Sequence, residues 1–183
     1  MFFKGKIALA PLAGVDESSW EVRFIKSQIE DIYGFEVDVL DRQKMPKSAY
    51  DSPPGYNASL LLDYLTAAMP NKYDKIMGVT DSSIYATKED SSNWAVNGLS
   101  YNGGVACVIS THAFGIKKLN GGRYERRLAK ASLHELGHTL GLPHCDNTPS
   151  CFMTEAREQV KTIDSEEIIL CRSCKRLIAF AQN

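Results

Sequence analysis

The 183-residue sequence predicts an α/β (α+β) fold, a mixed but mostly parallel sheet with helices packed on it. Three observations predict it. Short apolar runs of strand length alternate with segments carrying apolar residues at helical spacing, in the order β-α-β-α-β. Strands joined through a helix return parallel to one another. The composition, 44% hydrophobic and 23% charged, is that of a packed chain rather than a disordered one, and its length suits a single domain over 1–183.

Each element follows from local pattern. Residues 5–13, GKIALAPLA, read as a buried strand. Asp16 or Ser18 can then cap a helix in which Trp20, Phe24, Ile25, Ile29 and Ile32 recur at helical spacing, with Gly34 ending it after Tyr33. FEVDVLD, 35–41, alternates apolar and acidic residues as a strand with one wet face does. The proline- and serine-rich 44–57 reads as a loop, 58–69 as a helix stopped before Pro70, and KIMGVT, 75–80, as a third strand. The pattern then weakens. Residues 93–101, NWAVNGLSY, read as an irregular or edge strand, Gly103–Gly104 as a turn, and 105–114 as another buried strand holding Cys107 as a small hydrophobe. A polar glycine loop leads to a helix from about Tyr124 to Leu140, and 164–180 reads as a last helical segment.

Bulk properties exclude several partners. A formal net charge of −1 gives no footprint for nucleic acid or an anionic membrane. No apolar run approaches the ~20 residues that span a bilayer. The N-terminal MFFKGKIALAPLAGV imitates a signal peptide, but Pro11 breaks its short apolar run and the strand reading is preferred, so a cytoplasmic protein is expected.

The chemistry concentrates in HELGHTLGLPHC, 134–145. His134 and His138 lie four residues apart on a helix, so both imidazoles leave the same face and can grip one Zn²⁺ at about 2.0–2.1 Å. Glu135, beside the first ligand, is angled to reach a water at the metal without binding the metal itself, as a general base must. A third ligand cannot come from further along that face. Gly141 supplies the positive φ that ends the helix, Pro143 prevents its resumption, and His144 can turn back to the metal. Three histidines leave a fourth position open, the arrangement of a catalytic zinc. A methionine downstream of the third histidine accompanies such strings, and Met153, in CFMT, is the candidate. Its thioether would form an apolar floor beneath the rings.

Four of the five cysteines, Cys145, Cys151, Cys171 and Cys174, cluster just beyond that string. Four thiolates at about 2.3 Å would make a closed, structural zinc site. Two disulfides or a redox C-x-x-C are the rivals, and neither explains the position of all four beside a zinc motif in a reducing compartment.

The run His134, Glu135, His138, Gly141, His144, Cys145, then Cys151, Met153, Cys171 and Cys174, with 154–170 between the methionine and the next cysteine, resembles the archaemetzincin family. The resemblance implies a metzincin-like zincin fold: a twisted sheet and two long helices in an upper subdomain, 1–141, and a small lower one, 142–183. It further implies two zinc ions, one catalytic on His134, His138 and His144, one structural on the four cysteines, with Glu135 as base and Met153 in the Met-turn. Five residues, DNTPS, separate Cys145 from Cys151, one more than the family pattern. The expected activity is zinc-dependent hydrolysis of a peptide or protein substrate by a monomer. Extended substrate would lie along an edge strand around Asn97–Tyr101, and His112 is expected to be structural or solvent-facing rather than part of the cleft. The alternative is a zinc-holding binding protein that cleaves little; a C-x-x-C oxidoreductase is the third reading. With Cys145 directly after His144, a structural zinc would also help hold the third histidine in place.

Overall fold

The computed structural model describes residues 5–51, 55–87, 92–114, 122–155 and 168–181. Strands β1 (Lys6–Pro11), β2 (Glu36–Val39), β5 (Lys75–Thr80), β8 (Gly98–Ser100) and β9 (Ala106–Ser110) form a five-stranded sheet in the order β2-β1-β5-β9-β8. The pairs β1/β2, β1/β5 and β5/β9 are parallel, and β8 is antiparallel to β9 at one edge. The mostly parallel sheet expected from the sequence is therefore present.

Side-chain alternation sorts this sheet into two cores. Ile7, Leu9, Met77, Val79, Cys107 and Ile109 join one cluster with α1 (Trp20–Tyr33) and α3 (Arg123–Thr139). Ala8, Ala10, Ile76, Ala106 and Val108 join the other with α2 (Ala58–Ala68). Both faces are thus covered, which is why these strands read as continuous apolar runs. Gly34, at φ 76°, ends α1 as expected, its N–H donating to the Glu30 carbonyl. The start differs. Asp16 Oδ1 accepts from the backbone N–H and hydroxyl of Ser18 in a turn ahead of the helix, and Ser19 occupies the cap position without a side-chain bond.

The loop reading of 44–57 and the weak pattern after Asp81 need correction. Strands β3 (Tyr50–Asp51), β4 (Gly55–Asn57), β6 (Ile84–Thr87) and β7 (Asn93–Val96) make a second sheet in the order β3-β4-β6-β7. Strands of two to four residues are too short to carry a detectable period, and the pairing that joins the two halves of the sheet, β4 with β6, is remote in sequence. NWAVNGLSY consequently divides between two sheets, β7 in the small one and β8 in the large one.

The last segment also departs from the helical reading. Residues 156–167 lie outside the described residues; Ile169 then forms a parallel bridge to Cys151, and α4 begins only at Arg172 (Arg172–Ala181). The Phe152 N–H donates to the Ile169 carbonyl, so this stretch is held extended by pairing rather than by its own propensity. Cys171 precedes α4 and Cys174 lies in its first turn. No helix among the described residues is long and apolar enough to cross a membrane.

Candidate metal centre

Helix α3 carries His134 and His138 one turn apart, and their Nε2 atoms approach to 2.9 Å. The helix ends where the sequence requires it to. Gly141 takes φ 88°, its N–H donates to the His138 carbonyl, and the Leu142 N–H reaches back to the Gly137 carbonyl. These two bonds are a Schellman termination, and they reverse the chain so that Pro143 and His144 follow at once. The His144 ring comes to 5.3 Å and 4.9 Å from the rings of His134 and His138, centroid to centroid. The three histidines converge, with His134 and His138 half-buried and His144 exposed.

The tautomers follow from backbone partners. His134 Nδ1 lies 2.8 Å from the Phe152 carbonyl, and His138 Nδ1 lies 2.7 Å from that of Leu142. A carbonyl only accepts, so each Nδ1 carries the proton and each Nε2 presents a lone pair. Two lone pairs facing one another at 2.9 Å repel unless a cation stands between them. Zinc at about 2.0–2.1 Å from each would separate them by about 3.3 Å, a small opening of the present geometry. Burial lowers the His134 pKa to about 4 and also lowers that of His138, keeping both neutral and ready to ligate. The donor set therefore fits the metal, and the backbone carbonyls supply the orienting shell such ligands need.

Glu135 touches the edge strand β8. The Ser100 hydroxyl of β8 donates to its Oε2, and Gly98 leaves the space its stem occupies. Burial raises its pKa to about 7, with the Ser100 bond opposing the rise. Beneath the helix lies Met153, fully buried. A Cβ added at Gly137 would stand 2.4 Å from Met153 Sδ and 2.9 Å from the Tyr33 hydroxyl, so glycine here permits a close approach. That hydroxyl donates to the Leu133 carbonyl at 2.8 Å, tying α1 to α3. Lys75 secures the helix end, its ammonium donating to the carbonyls of Thr139 (2.7 Å) and Gly104 (2.8 Å).

The four cysteines form a second group. Cys145 and Cys171 sulfurs are 3.7 Å apart, those of Cys151 and Cys174 3.8 Å, and all four lie within 4.8 Å of one another. A disulfide needs about 2.05 Å. The edge of a tetrahedron of 2.3 Å zinc–sulfur bonds is about 3.8 Å, so the spacing matches a four-thiolate site. Burial raises the thiols of Cys151 and Cys174. At Cys145 burial also acts upward, but the Asn147 donors and the neighbouring thiols outweigh it and bring the group down to about 7. Within the DNTPS loop the chain turns so that the Cys151 N–H donates to the Thr148 carbonyl. Cys145 itself is fixed by its N–H to the Met153 carbonyl, which links the two groups through the Met-containing turn.

His112 does not join the histidines. It is exposed in a short 3₁₀ turn after β9, with Nδ1 3.3 Å from the Asp81 carbonyl, as a solvent-facing residue would be. Cys107 is fully buried. Gly98, Ser100, Gly137, Tyr33 and Lys75 are site residues that the sequence does not single out. Only Gly137 carries a signal: glycine inside a helix costs about 1 kcal/mol against alanine and implies a close neighbour.

Known proteins resemble this chain in sequence and in fold. Residues 20–179 match the family model of Peptidase family M54. The archaemetzincin of Halobacterium salinarum is 33% identical over 164 residues, covering 85% of this chain and 90% of its own. That of Archaeoglobus fulgidus is 31% identical over 176 residues, covering 96% and 99%. Among solved structures, archaemetzincin from Methanopyrus kandleri superposes with a TM-score of 0.81 at 29% identity, covering 97% of this chain and 95% of that one. The Archaeoglobus fulgidus structure, solved with malonate, gives 0.76 at 28% identity, covering 94% and 99%. With family match, relatives and fold in agreement, the chain belongs to peptidase family M54, the archaemetzincins, and is a zinc metallopeptidase.

Proposed function

We propose that the protein hydrolyses peptide bonds with a catalytic zinc held by His134, His138 and His144, and that Cys145, Cys151, Cys171 and Cys174 hold a second, structural zinc. The observation that carries the reading is the convergence of three imidazoles, two with Nδ1 committed to carbonyls, with the half-buried carboxylate of Glu135 next to the first of them in sequence. Zinc, when bound, supplies a Lewis acid that polarises the scissile carbonyl and acidifies water. Glu135 takes the proton of the attacking water and delivers it to the leaving amine nitrogen as the C–N bond breaks. Its Oε2 is engaged by Ser100, which leaves Oε1 for that transfer. His134 and His138 are oriented by Phe152 and Leu142, and the Gly141 turn presents His144. Met153 forms the apolar support under the helix, and Cys145 anchors the residue after His144.

An extended peptide would add to the sheet at its edge strand β8, over 97–101. Residues 1–141 then act as the upper subdomain and 142–183 as the lower, with the cleft between. Four unbridged thiols suit a reducing compartment, so we place the protein in the cytoplasm, acting as a monomer on peptide rather than on nucleic acid or membrane. The test is cleavage of a mixed peptide library by zinc-loaded wild type and Glu135→Ala. Loss of a proton carrier lowers the rate by about 10²–10⁴-fold while zinc content stays constant. Equal cleavage by the variant would remove Glu135 from the mechanism, and no cleavage by either would favour a zinc-holding binding protein.

A further inference from the structure

We propose that Ser100 is a positioning residue that latches the Glu135 carboxylate to the edge strand β8, in a space that Gly98 keeps open. The inference rests on the reading of Glu135 as the proton carrier. Strand register brings both residues to the right face. In the antiparallel pair, Ser100 opposes Cys107 and Gly98 opposes Ile109. Directly opposed residues share a face, and Cys107 and Ile109 belong to the core that α3 covers. Positions 98 and 100 therefore face α3, whereas Leu99, opposite Val108, faces α2.

Contacts across that face agree with the register. The Ser100 hydroxyl donates to Glu135 Oε2. An added Cβ at Gly98 would stand 2.7 Å from Glu135 Cγ and 3.0 Å from Oε1, so the stem of the side chain lies flush against the strand. One residue removes the freedom of the carboxylate by a bond and the other admits it by lacking a side chain. Glutamate has three side-chain torsions, and a base that wanders loses the geometry that proton transfer needs. The strand that would pair with an extended substrate is thus the strand that holds the base. A shift in one is a shift in the other, so substrate register and base position are set together.

The experiment uses the full zinc-loaded chain and a reporter peptide taken from the library above. Ser100→Ala lowers kcat about tenfold with KM within about twofold, and Ser100→Thr, which keeps the hydroxyl, restores most of it. Gly98→Ala lowers kcat at least as much without changing zinc content. A second measurement needs no activity: in a double-mutant cycle on melting temperature, Ser100→Ala destabilises wild type by about 2–4 °C but leaves Glu135→Ala nearly unchanged. Wild-type kcat in Ser100→Ala together with additive melting shifts overturns the latch. Full activity in Glu135→Ala overturns the reading beneath it, whatever the melting shifts show.

Discussion

Replacing Gly137 by alanine sets two opposite effects against each other. At an exposed position inside a helix the change would stabilise by about 1 kcal/mol, because glycine loses more backbone freedom on folding. Here the new Cβ would fall 2.4 Å from Met153 Sδ and 2.9 Å from the Tyr33 hydroxyl. Both neighbours are fully buried, and Tyr33 is tied to the Leu133 carbonyl, so neither moves freely. Overpacking of this kind costs about 1–3 kcal/mol, and with two constrained neighbours the upper end applies. The net expectation is a loss of about 2 kcal/mol, or about 4–8 °C in melting temperature for a chain of this length. Thermal unfolding of the zinc-loaded protein by circular dichroism reads it. Adding Met153→Ala removes the sulfur that is struck, so the double variant should lose less than the sum of the single losses. A rise in melting temperature on Gly137→Ala would refute the close approach and with it the role given to Met153.

Cys171→Ser should remove one zinc per chain and lower the melting temperature while the three-histidine zinc remains, as measured by metal analysis beside calorimetry; unchanged stability would end the structural assignment. Lys75→Ala strips a cation from the Thr139 and Gly104 carbonyls, and denaturant unfolding should show a loss of about 1.5–3 kcal/mol. In the zinc-free protein two titrations oppose. The His134 pKa falls from 6.5 to about 4 on folding, so between those values the unfolded chain binds more protons and stability rises with pH. The Glu135 pKa rises from 4.5 to about 7, so over nearly the same window the folded chain binds more protons and stability falls with pH. Glu135→Gln removes the second effect. Its melting temperature should therefore climb from about pH 4 to 6.5 more steeply than that of wild type; parallel curves would contradict the Glu135 assignment, and a variant curve that does not climb would contradict that of His134.

How much the sequence discloses depends on how local the signal is. His134, His138, Gly141 and His144 lie within eleven residues, and the geometry of one helix and one turn dictates their arrangement. The parallel core is equally legible, because β1, β5 and β9 are buried on both faces and read as apolar runs. The small sheet is not, since β3 and β4 are too short to show a period and β4 draws its order from β6, elsewhere in the chain. Composition places Ile168–Cys171 in a helix, yet pairing with the Cys151 segment holds Ile169 extended. Ser100 and Gly98 carry no local signal at all. Their meaning lies in the strand register that carries them to Glu135, thirty-five residues along the chain from Ser100.

The central claim is that two neighbouring sites hold two zinc ions, joined by the His144–Cys145 peptide. Diffraction from zinc-loaded crystals on either side of the zinc absorption edge tests it most directly. Two anomalous peaks are expected, one among the imidazoles of His134, His138 and His144 and one among the sulfurs of Cys145, Cys151, Cys171 and Cys174. A single peak, or sulfur–sulfur bonds in place of the second, would contradict it.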